Sequence, residues 1–489
     1  MINQDTICAI ATVQGGAIGV IRVSGVKAID ITSGIFTPVQ GKPLTERKPY
    51  TLTFGKIKTD EGEVIDEVLV SVFRAPHSYT GEDSTEISCH GSAYILHRVM
   101  QLLIAKGCRT ALPGEYTQRA FLNGKMDLSQ AEAVADLIAS SSATTHRLAM
   151  NQMRGGFSQE LSALRNELLR FTSLIELELD FSDHEELEFA DRSELTALAD
   201  HIGQVISRLA HSFSVGNALK NGVPVAIIGE TNAGKSTLLN ALLNEEKAIV
   251  SDIHGTTRDV IEDTINLGGI TFRFIDTAGI RQTTDTIESL GIERTWQKME
   301  QADIILWMID PTSAQQKEAR AKANEEVNLG EGWSQKASQE EAKLREEILA
   351  RCEGKKLILL FNKADLLRAD EREAILAAYA DVDAPKLFLS AKQREGIPAL
   401  ESLLTETAAL PEITQNDVIV TNIRHYEALV RALESIHRVQ DGLQMNLSGD
   451  LVSEDLRQCI HELGEIVAEG GITSEETLQN IFKNFCIGK

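Results

Sequence analysis

A glycine-rich segment near the middle of the chain carries the residues best suited to hold a phosphate. From Gly229 to Ser236 it reads Gly-Glu-Thr-Asn-Ala-Gly-Lys-Ser, the P-loop pattern, between an apolar run and a helical pattern. Such a loop turns backbone N–H groups toward phosphate oxygens, and the helix N-terminus adds positive potential. Lys235 then reaches the β- and γ-phosphates, and the Ser236 hydroxyl is placed to bind Mg²⁺. The predicted nucleotide contacts in this loop are Asn232, Ala233, Gly234, Lys235, Ser236 and Thr237.

Two later segments indicate that the base is guanine. Asp365, in Asn-Lys-Ala-Asp after an apolar run, can accept hydrogen bonds from the ring N–H and the exocyclic amine of guanine. Adenine offers no such pair of donors, and a site built on hydrogen bonds can reject the analogue lacking them by ~10⁴. The segment Ser390-Ala391-Lys392 directly follows the next apolar run and can pack behind the guanine base. The predicted base contacts are Asn362, Lys363, Asp365, Ser390, Ala391 and Lys392.

Two segments between these motifs are suited to the γ-phosphate and Mg²⁺. Asp276 and Gly279 frame a DxxG motif, which places the carboxylate near Mg²⁺ and the glycine N–H near the γ-phosphate. Thr256 or Thr257 lies in the right interval for the loop that closes over Mg²⁺. The DxxG contacts are Asp276, Thr277, Ala278 and Gly279. Four motifs in this order predict a domain that binds and hydrolyses GTP.

The attacking water must be oriented in an uncommon way. Many GTPases use a glutamine directly after the DxxG glycine, and Ile280 stands there in this sequence. Because an isoleucine side chain cannot hydrogen-bond water, another residue must position it. Glu288 and Arg281 are the candidates, and Lys235 completes the predicted catalytic residues.

The nucleotide motifs lie on a pattern of alternating strands and helices. Short apolar runs occur at residues 223–228, 271–275, 304–309, 356–361 and 386–389. Alternation of such runs with helical stretches predicts βα units and a mainly parallel sheet, here over residues 222–410. The stretch 312–354 interrupts the pattern. Since it is dense in Ala, Glu, Lys and Gln, we expect a solvated helical insertion.

The flanking regions have different patterns. Residues 1–118 are predicted to form strands and turns, with strands at 17–23, 64–73 and, more weakly, 84–89. Residues 119–221 and 411–489 have apolar residues at helical spacing. The α/β domain is therefore expected to be inserted into one helical domain.

Length and composition limit the class of protein. A chain of 489 residues is expected to form two to four domains. Its net charge of −24 argues against a sequence-independent grip on a polyanion, so any nucleic-acid contact needs a local patch or a partner. No apolar run is long enough to span a membrane, and the N-terminus does not resemble a signal peptide. Six cysteines, all outside CxxC pairs, indicate free thiols and a cytoplasmic location.

Beyond the nucleotide motifs, the chain resembles the MnmE (TrmE) family of tRNA-modification GTPases over nearly its whole length. The matching segments are 16–25, 78–83, 113–128, 252–259 and the final Cys-Ile-Gly-Lys, together with Asn232. The resemblance implies a multidomain α/β and α+β fold. An α+β folate-binding domain comes first, and the P-loop GTPase domain is inserted in a helical domain.

The resemblance also implies partners and a reaction. Members form homodimers and work in a heterotetramer with MnmG, a flavin-dependent partner that carries FAD. Together they add an aminomethyl or carboxymethylaminomethyl group to carbon 5 of the wobble uridine (U34) in certain tRNAs. A tetrahydrofolate derivative supplies one carbon, and glycine or ammonium supplies the rest. GTP hydrolysis would drive movement of the GTPase domains.

Four residues match the folate contacts of this family: Arg22, Glu82, Lys125 and Lys489. A carboxylate such as Glu82 can accept paired hydrogen bonds from the amino-pyrimidine edge of a pterin. Arg22 and the lysines suit the acidic glutamyl tail. Cys486 could supply a thiol near the folate, and its role stays open.

The resemblance further implies bound cations. The positions that match the family's K⁺ ligands are Asn232, Ser251, Ile253 and Thr256, and those for Mg²⁺ are Ser236 and Thr257. Ser251 also belongs to the predicted GTP contacts and is a mild departure, since some relatives have Thr there. Glu288 matches the family's water-activating glutamate. The stretch 312–354 is longer than the family pattern.

Two other functions remain alternatives at this point. A ribosome-assembly GTPase would be an rRNA-binding switch, but the folate-like motifs and the lack of a basic RNA-binding appendage disfavour it. A structural switch at a membrane is disfavoured because no spanning or basic amphipathic segment is evident.

Overall fold

The computed structural model divides the chain into two compact units. The residues described are 5–13, 15–180, 192–230, 232–243, 263–275, 296–297, 299–312, 345–408, 417–468, 481–483, 485 and 488. The first unit comprises Met1–Ala139, Leu148–His211 and Val418–Lys489, and the second comprises Ser140–Arg147 and Ser212–Asp417. Among the described helices, none has the length and apolar character needed to cross a membrane.

The N-terminal part of the first unit is built on a sheet of seven described strands. They are β1 (Thr6–Ile10), β2 (Ile18–Ser24), β3 (Phe36–Pro38), β4 (Thr51–Lys58), β5 (Val64–Phe73), β6 (Ser84–His90) and β7 (Cys108–Thr110). Their order is β3-β4-β5-β6-β2-β1-β7, and the pairs are antiparallel except for β1 with β7. Because side chains alternate between faces, Val68, Val70 and Val72 are buried whereas Leu69 is 40% exposed.

Two helices pack on the core side of this sheet, α1 (Ala28–Ile35) and α2 (Ala93–Ala105). The interpretation of residues 1–118 as strands and turns missed these two helices, whereas the α+β fold implied by the resemblance agrees with them. Leu96, Val99 and Leu103 of α2 are fully buried in the same core as the strands. Their spacing of three and four residues is the signal of an amphipathic helix.

The chain then becomes helical, as the apolar spacing predicted. The helices are α3 (Glu115–Leu122), α4 (Leu128–Ala139), α5 (Ala143–Met153), α6 (Gly156–Asp180) and α7 (Arg192–Asn221). Leu161, Leu164 and Leu168 of α6 are buried.

The second unit has a sheet of six described strands with helices between them. In chain order they are β8 (Val223–Gly229), α8 (Lys235–Leu242), β9 (Asp263–Leu267), β10 (Ile270–Phe274), β11 (Ile304–Ile309), β12 (Lys356–Phe361), α9 (Ala369–Ala378), β13 (Lys386–Phe388) and α10 (Ile397–Ala408). The order is β13-β12-β11-β8-β10-β9, parallel except for β9 with β10. The predicted mainly parallel sheet is confirmed, and β9 is an additional strand.

Hydrophobic cores lie on both faces of this sheet. Val225 and Ile227 of β8 belong to one core, and Ala226 and Ile228 belong to the other. A strand that is buried on both faces needs apolar residues without alternation. This explains why residues 223–228 form one continuous apolar run.

The interpretation of 312–354 as a solvated insertion is wrong at its C-terminal end. Residues 345–351 are helical. Ile348 and Cys352 are only 6% and 7% exposed and lie in the core with Trp307. The guanidinium of Arg351 lies 4.6 Å from the ring centre of Trp296. Residues 313–344 lie outside the described residues.

The first unit is completed by helices α11 (Ile423–Gln444) and α12 (Gly449–Val467). A buried ion pair joins α11 to α4. Glu132 lies 2.7 Å from the Nε2 atom of His425 and 3.0 Å from the guanidinium of Arg424. These two partners lower the pKa of the Glu132 carboxyl to about 2, although burial alone would raise the pKa.

Candidate functional site

The carboxyl ends of four parallel strands meet at one edge of the second sheet. Gly229 at the end of β8 lies beside Met308, and Phe361 at the end of β12 lies beside Ile309 and Phe388. Ligands of open α/β sheets bind outside this edge. The predicted phosphate and base motifs follow directly after these strands.

The P-loop has the backbone that its sequence predicted. Gly229, Asn232 and Gly234 all have positive φ, at 147°, 66° and 101°. A Cβ atom on Gly234 would lie 2.2 Å from the side-chain nitrogen of Asn362, and one on Gly229 would lie 2.2 Å from the Met308 carbonyl oxygen. Glycine is therefore required at both positions by space as well as by conformation.

Lys235 and Ser236 begin α8 directly after this loop. The Lys235 ammonium donates to the carbonyls of Gly229 at 2.8 Å and Glu230 at 2.7 Å, so it lies over the loop. Ser236 is half-buried and Thr237 is exposed. A hydroxyl oxygen in the first turn of this helix is a hard ligand that fits Mg²⁺.

The side chain of Asn362 joins the phosphate loop to the loop after β13. Asn362 is 3% exposed. Its amide nitrogen donates to the Ala233 carbonyl at 2.7 Å, and its amide oxygen accepts from the Ala391 backbone N–H at 3.0 Å. We call this pair of hydrogen bonds the Asn362 bridge. Asn362 therefore supports both loops.

Lys363 and Asp365 follow Asn362 in the chain. Lys363 has a left-handed backbone with φ of 59°, and Asp365 follows in a short 3-10 turn, Ala364–Leu366. The Asp365 side chain is exposed. An exposed carboxylate in a fixed turn is what recognition of guanine requires.

Asp310 was not predicted and belongs to this site. Its carboxylate lies 2.5 Å from the Lys363 ammonium and accepts from the backbone and hydroxyl of Thr312 at 3.0 and 2.6 Å. Burial alone would raise the pKa of the Asp310 carboxyl, but these donors hold the pKa below its ordinary value. The sequence feature that could have identified Asp310 is an acidic residue directly after the apolar run 304–309.

The loop after β13 is a tight turn. The backbone of Ser390 exchanges hydrogen bonds with Glu395 at 3.0 and 3.1 Å, and its hydroxyl accepts from the Gln393 N–H at 3.3 Å. Ser390 and Ala391 are buried, and Lys392 is exposed. The structure thus brings the P-loop and both predicted base segments together.

Several predicted site residues lie outside the described residues. They are Ser251, Ile253, Thr256, Thr257, Asp276, Thr277, Ala278, Gly279, Ile280, Arg281, Glu288, Cys486 and Lys489.

A second polar site lies on the N-terminal sheet. Arg22 of β2 donates from Nε and Nη2 to Glu86 at 3.0 and 2.8 Å. Its guanidinium lies 5.5 Å from the ring centre of Tyr79 and 5.6 Å from that of Tyr116. The cation is therefore held between aromatic rings and remains partly exposed, at 21% of its side chain.

Glu82 is fixed by two donors. The Ser24 hydroxyl donates to one carboxylate oxygen at 2.8 Å. Arg119 of α3 donates from Nη1 to both oxygens, at 3.1 and 3.3 Å. Arg119 was not predicted as a site residue. It lies in the matching segment 113–128, but the sequence does not show which glutamate it meets.

Lys125 lies beside the same loop as Glu82. A Cβ atom on Gly81 would lie 3.4 Å from the Lys125 Cγ atom. The Lys125 ammonium is exposed and donates to the Pro76 carbonyl at 3.0 Å. Arg22 and Lys125 thus both lie beside the segment 76–83, which carries Glu82.

The end of the chain reaches the same region. The Gly488 carbonyl accepts from Arg22 Nη1 at 3.5 Å. Gly488 is buried with φ of 97°, and a Cβ atom there would lie 2.7 Å from the Ile10 carbonyl oxygen. The Cys-Ile-Gly-Lys signature therefore places one of its residues beside a predicted folate contact.

Comparisons with known proteins agree along the whole chain. Residues 6–125 match the family model "GTP-binding protein TrmE N-terminus", and residues 128–486 match "MnmE helical domain". A tRNA modification GTPase MnmE from Phocaeicola vulgatus is 71% identical, over 100% of both chains. Proteins of the same name from Bacteroides thetaiotaomicron and Flavobacterium johnsoniae are 66% and 51% identical, again over 100% of both chains.

Proposed function

The chain belongs to the MnmE family of tRNA-modification GTPases, and we propose that its GTP hydrolysis serves modification of carbon 5 of the wobble uridine in tRNA. The added group is aminomethyl or carboxymethylaminomethyl. The observation that supports the proposal is the Asn362 bridge, which joins the P-loop to the loop predicted to bind guanine, in a chain 71% identical to a tRNA modification GTPase.

In the nucleotide site, Lys235 exchanges its two carbonyl partners for β- and γ-phosphate oxygens. Asp365 accepts the two guanine donors, and Ser236 with Thr257 would hold Mg²⁺. Mg²⁺ would neutralise the negative charge that develops on the phosphates during hydrolysis. The other proposed contacts with GTP come from the P-loop, the DxxG motif, Thr256 and the loop after β13.

Glu288 is the proposed residue that orients the water, and Arg281 is the second candidate. Asn232, Ser251, Ile253 and Thr256 would bind K⁺. Asn232 supports this assignment because its side chain is exposed at the tip of the P-loop. Binding of K⁺ would bring two GTPase domains together and order the loop that excludes bulk water.

The N-terminal site is proposed to bind a tetrahydrofolate derivative that supplies one carbon. Glu82 would accept from the pterin edge, while Arg22, Lys125 and Lys489 would face the glutamyl tail. A partly exposed cation close to two tyrosine rings suits a flat, acidic ligand. Cys486 lies two residues before Gly488, so its thiol is a candidate for a role near the folate.

The proposed assembly is a homodimer that joins a flavin-dependent, MnmG-type partner carrying FAD in a heterotetramer and acts on tRNA. Residues 1–118 would bind folate and dimerise. Residues 222–410 would form the GTPase domain, inserted between the helical segments 119–221 and 411–489. A net charge of −24 implies that the partner provides much of the attraction for tRNA.

The test is mass analysis of tRNA nucleosides from cells that lack this protein, complemented with the natural chain or with Asp365→Asn. We expect the modified wobble uridine to disappear, to return with the natural chain and to stay low with the variant. Unchanged uridines together with a ribosomal-subunit defect would contradict the proposal and support the ribosome-assembly alternative.

A further inference from the structure

Arg119 makes more side-chain hydrogen bonds than any other cation among the described residues from β1 to α3. It lies on α3 with 8% of its side chain exposed. Its two terminal nitrogens donate to Asp5, Glu115 and Glu82 over 2.8 to 3.3 Å. A planar guanidinium with several partners in fixed directions has little freedom to rotate.

The contacts of Arg119 are of two kinds. Some hold its guanidinium in place, and others hold the carboxylate of Glu82. Among the described residues, Nη2 donates to Asp5 and Glu115, at 2.8 and 2.9 Å. Glu115 is held again by Arg109 at 2.6 and 3.0 Å and by the Leu112 N–H at 2.8 Å. This side of Arg119 is therefore tied to the residue before β1 and to α3 itself. Nη1 donates to the Asp5 carbonyl at 2.9 Å and is also the nitrogen that reaches Glu82.

Glu82 differs from the two anchoring carboxylates. In the described part of the chain, its side-chain donors are Arg119 Nη1, which bonds both oxygens, and the Ser24 hydroxyl, which bonds one of them. An ionised carboxylate offers about four lone-pair sites. These three hydrogen bonds leave about one acceptor site, on Oε1, of a group whose side chain is 15% exposed. The arrangement fixes the plane of the carboxylate without using up its acceptors.

We propose that Arg119 is a positioning residue that holds the Glu82 carboxylate in the orientation needed to accept a hydrogen bond from the 2-amino group at the amino-pyrimidine edge of a pterin. This inference rests on the proposed folate-binding function. It adds that recognition of the pterin edge depends on a buried arginine that does not touch the ligand. An acceptor discriminates best when its geometry is set before the ligand arrives.

Arg109 provides a matched control. It contacts the same two anchoring carboxylates, Asp5 and Glu115, and has no recorded contact with Glu82 among the described residues. Arg109→Gln therefore weakens the same cluster without releasing Glu82. A purely structural role of Arg119 predicts similar effects of Arg119→Gln and Arg109→Gln on ligand binding.

The experiment is calorimetric titration of the full-length protein with 5-formyltetrahydrofolate. We expect Arg119→Gln and Glu82→Gln each to weaken binding by about 10- to 100-fold, the usual effect of losing hydrogen bonds to a charged group. The double variant should bind no worse than Glu82→Gln alone, and Arg109→Gln should stay within about threefold of the natural protein. The rate of GTP hydrolysis reports on the second unit and should be the same in these variants as in the natural protein.

A second ligand separates positioning from folding. An analogue that lacks the 2-amino group of the pterin should be disfavoured by the natural protein and tolerated better, relative to the parent ligand, by Arg119→Lys, which keeps the charge and loses the planar fork. Independent, multiplicative losses for Arg119→Gln and Glu82→Gln, or unchanged discrimination in Arg119→Lys, would overturn the inference. Full affinity in Glu82→Gln would overturn both the inference and the proposed folate site.

Discussion

The carboxylate of Asp310 lies 2.5 Å from the ammonium of Lys363, across the ends of the adjacent parallel strands β11 and β12. Asp310 is largely buried, at 9% of its side chain, whereas Lys363 is 34% exposed. The pair therefore anchors an exposed lysine to the sheet. Because Lys363 has a left-handed backbone two residues before Asp365, the anchor also supports the turn that carries Asp365, the carboxylate proposed to bind guanine.

Asp310→Asn should weaken binding of GDP and GTP equally, by about three- to tenfold, or up to ~1.4 kcal/mol. The reason is that the pair supports the base and does not approach the γ-phosphate. Turnover at saturating GTP should change little. Titration with a fluorescent GDP and competition by GTP measure both affinities.

Asp303→Asn is the control for this prediction. Asp303 directly precedes the same strand at its opposite end, and its side chain is exposed. We expect natural affinity in this variant. A loss of GTP affinity without a loss of GDP affinity in Asp310→Asn would show that the pair acts on the phosphates instead.

Asp365→Asn should change the preferred base. An amide can donate where the carboxylate only accepts, so it pairs with the carbonyl oxygen that xanthine has in place of the guanine amine. We expect weaker GTP binding and a preference for xanthosine triphosphate in competition calorimetry. Asp370→Asn, an exposed acid in the first turn of α9, is the control. Natural GTP affinity in Asp365→Asn would remove this residue from the site.

Arg22→Ala should weaken binding of 5-formyltetrahydrofolate by about tenfold or more, since it removes a charge-assisted contact and the cation that lies over Tyr79. GTP hydrolysis should be unaffected because the GTPase motifs lie in the other unit. Calorimetry and phosphate release measure the two properties. Arg98→Ala, a change at a partly exposed arginine of α2, should leave both unchanged. Retained folate affinity in Arg22→Ala would contradict the assignment.

K⁺ should raise the rate of GTP hydrolysis, and Na⁺ at equal ionic strength should not. Ile280 cannot hold the attacking water, so the site needs the ordered loop and Glu288. Glu288→Ala should lower turnover by ~10²–10⁴, the usual contribution of a positioned general base, with little change in GTP affinity. Steady-state phosphate release in the two salts measures the effect. Equal rates in K⁺ and Na⁺, or normal turnover in Glu288→Ala, would contradict the respective assignment.

Glu132→Gln should lower the free energy of unfolding by about 3 kcal/mol at neutral pH, because Arg424 and His425 lose a buried partner. The pKa of Glu132 is depressed from 4.5 to about 2 in the folded protein. Its stabilising effect is therefore complete above pH 4.5 and is lost as the pH falls toward 2. Urea unfolding should show that the difference in free energy of unfolding between the two proteins becomes smaller as the pH falls from 4.5 to about 2.

The control for Glu132 is an exposed pair in the same unit. Glu176 contacts Arg457 with 45% of its side chain exposed. Glu176→Gln should change the free energy of unfolding by less than ~1 kcal/mol. A difference between Glu132→Gln and the natural protein that grows in acid would have the wrong sign and would contradict the ion-pair assignment.

The sequence predicted those parts of the fold and site that depend on local pattern. The strands at 304–309 and 356–361 agree with β11 and β12 because strands buried on both faces need unbroken apolar runs. The P-loop conformation agrees because Gly229 and Gly234 adopt positive φ angles with no room for a Cβ atom, which glycine alone permits. Helix α2 was missed although its apolar spacing was present, since the neighbouring strands dominated the interpretation.

Contacts between distant residues could not be predicted. Asn362 and Ala233 are 129 positions apart, and Arg119 and Glu82 are 37 apart. A motif tells which residue type is needed, but the partner depends on how strands and helices pack. For the same reason, Ile348 and Cys352 were assigned to a solvated stretch on local composition, whereas the packing of helix 345–351 places them in the core.

The Asn362 bridge has a consequence for how the state of the nucleotide is communicated. GTP and GDP present the same base and the same first two phosphates to the loops that the bridge connects. Because Ala233 and Ala391 are tied through one buried side chain, these loops respond together to either nucleotide. Apart from Lys235, which is proposed to reach the γ-phosphate, these loops therefore recognise features that GTP and GDP share. Loss of the third phosphate is expected to be sensed by Lys235 and the DxxG segment, so the identity of the nucleotide and its hydrolysis are detected by different groups of the same domain.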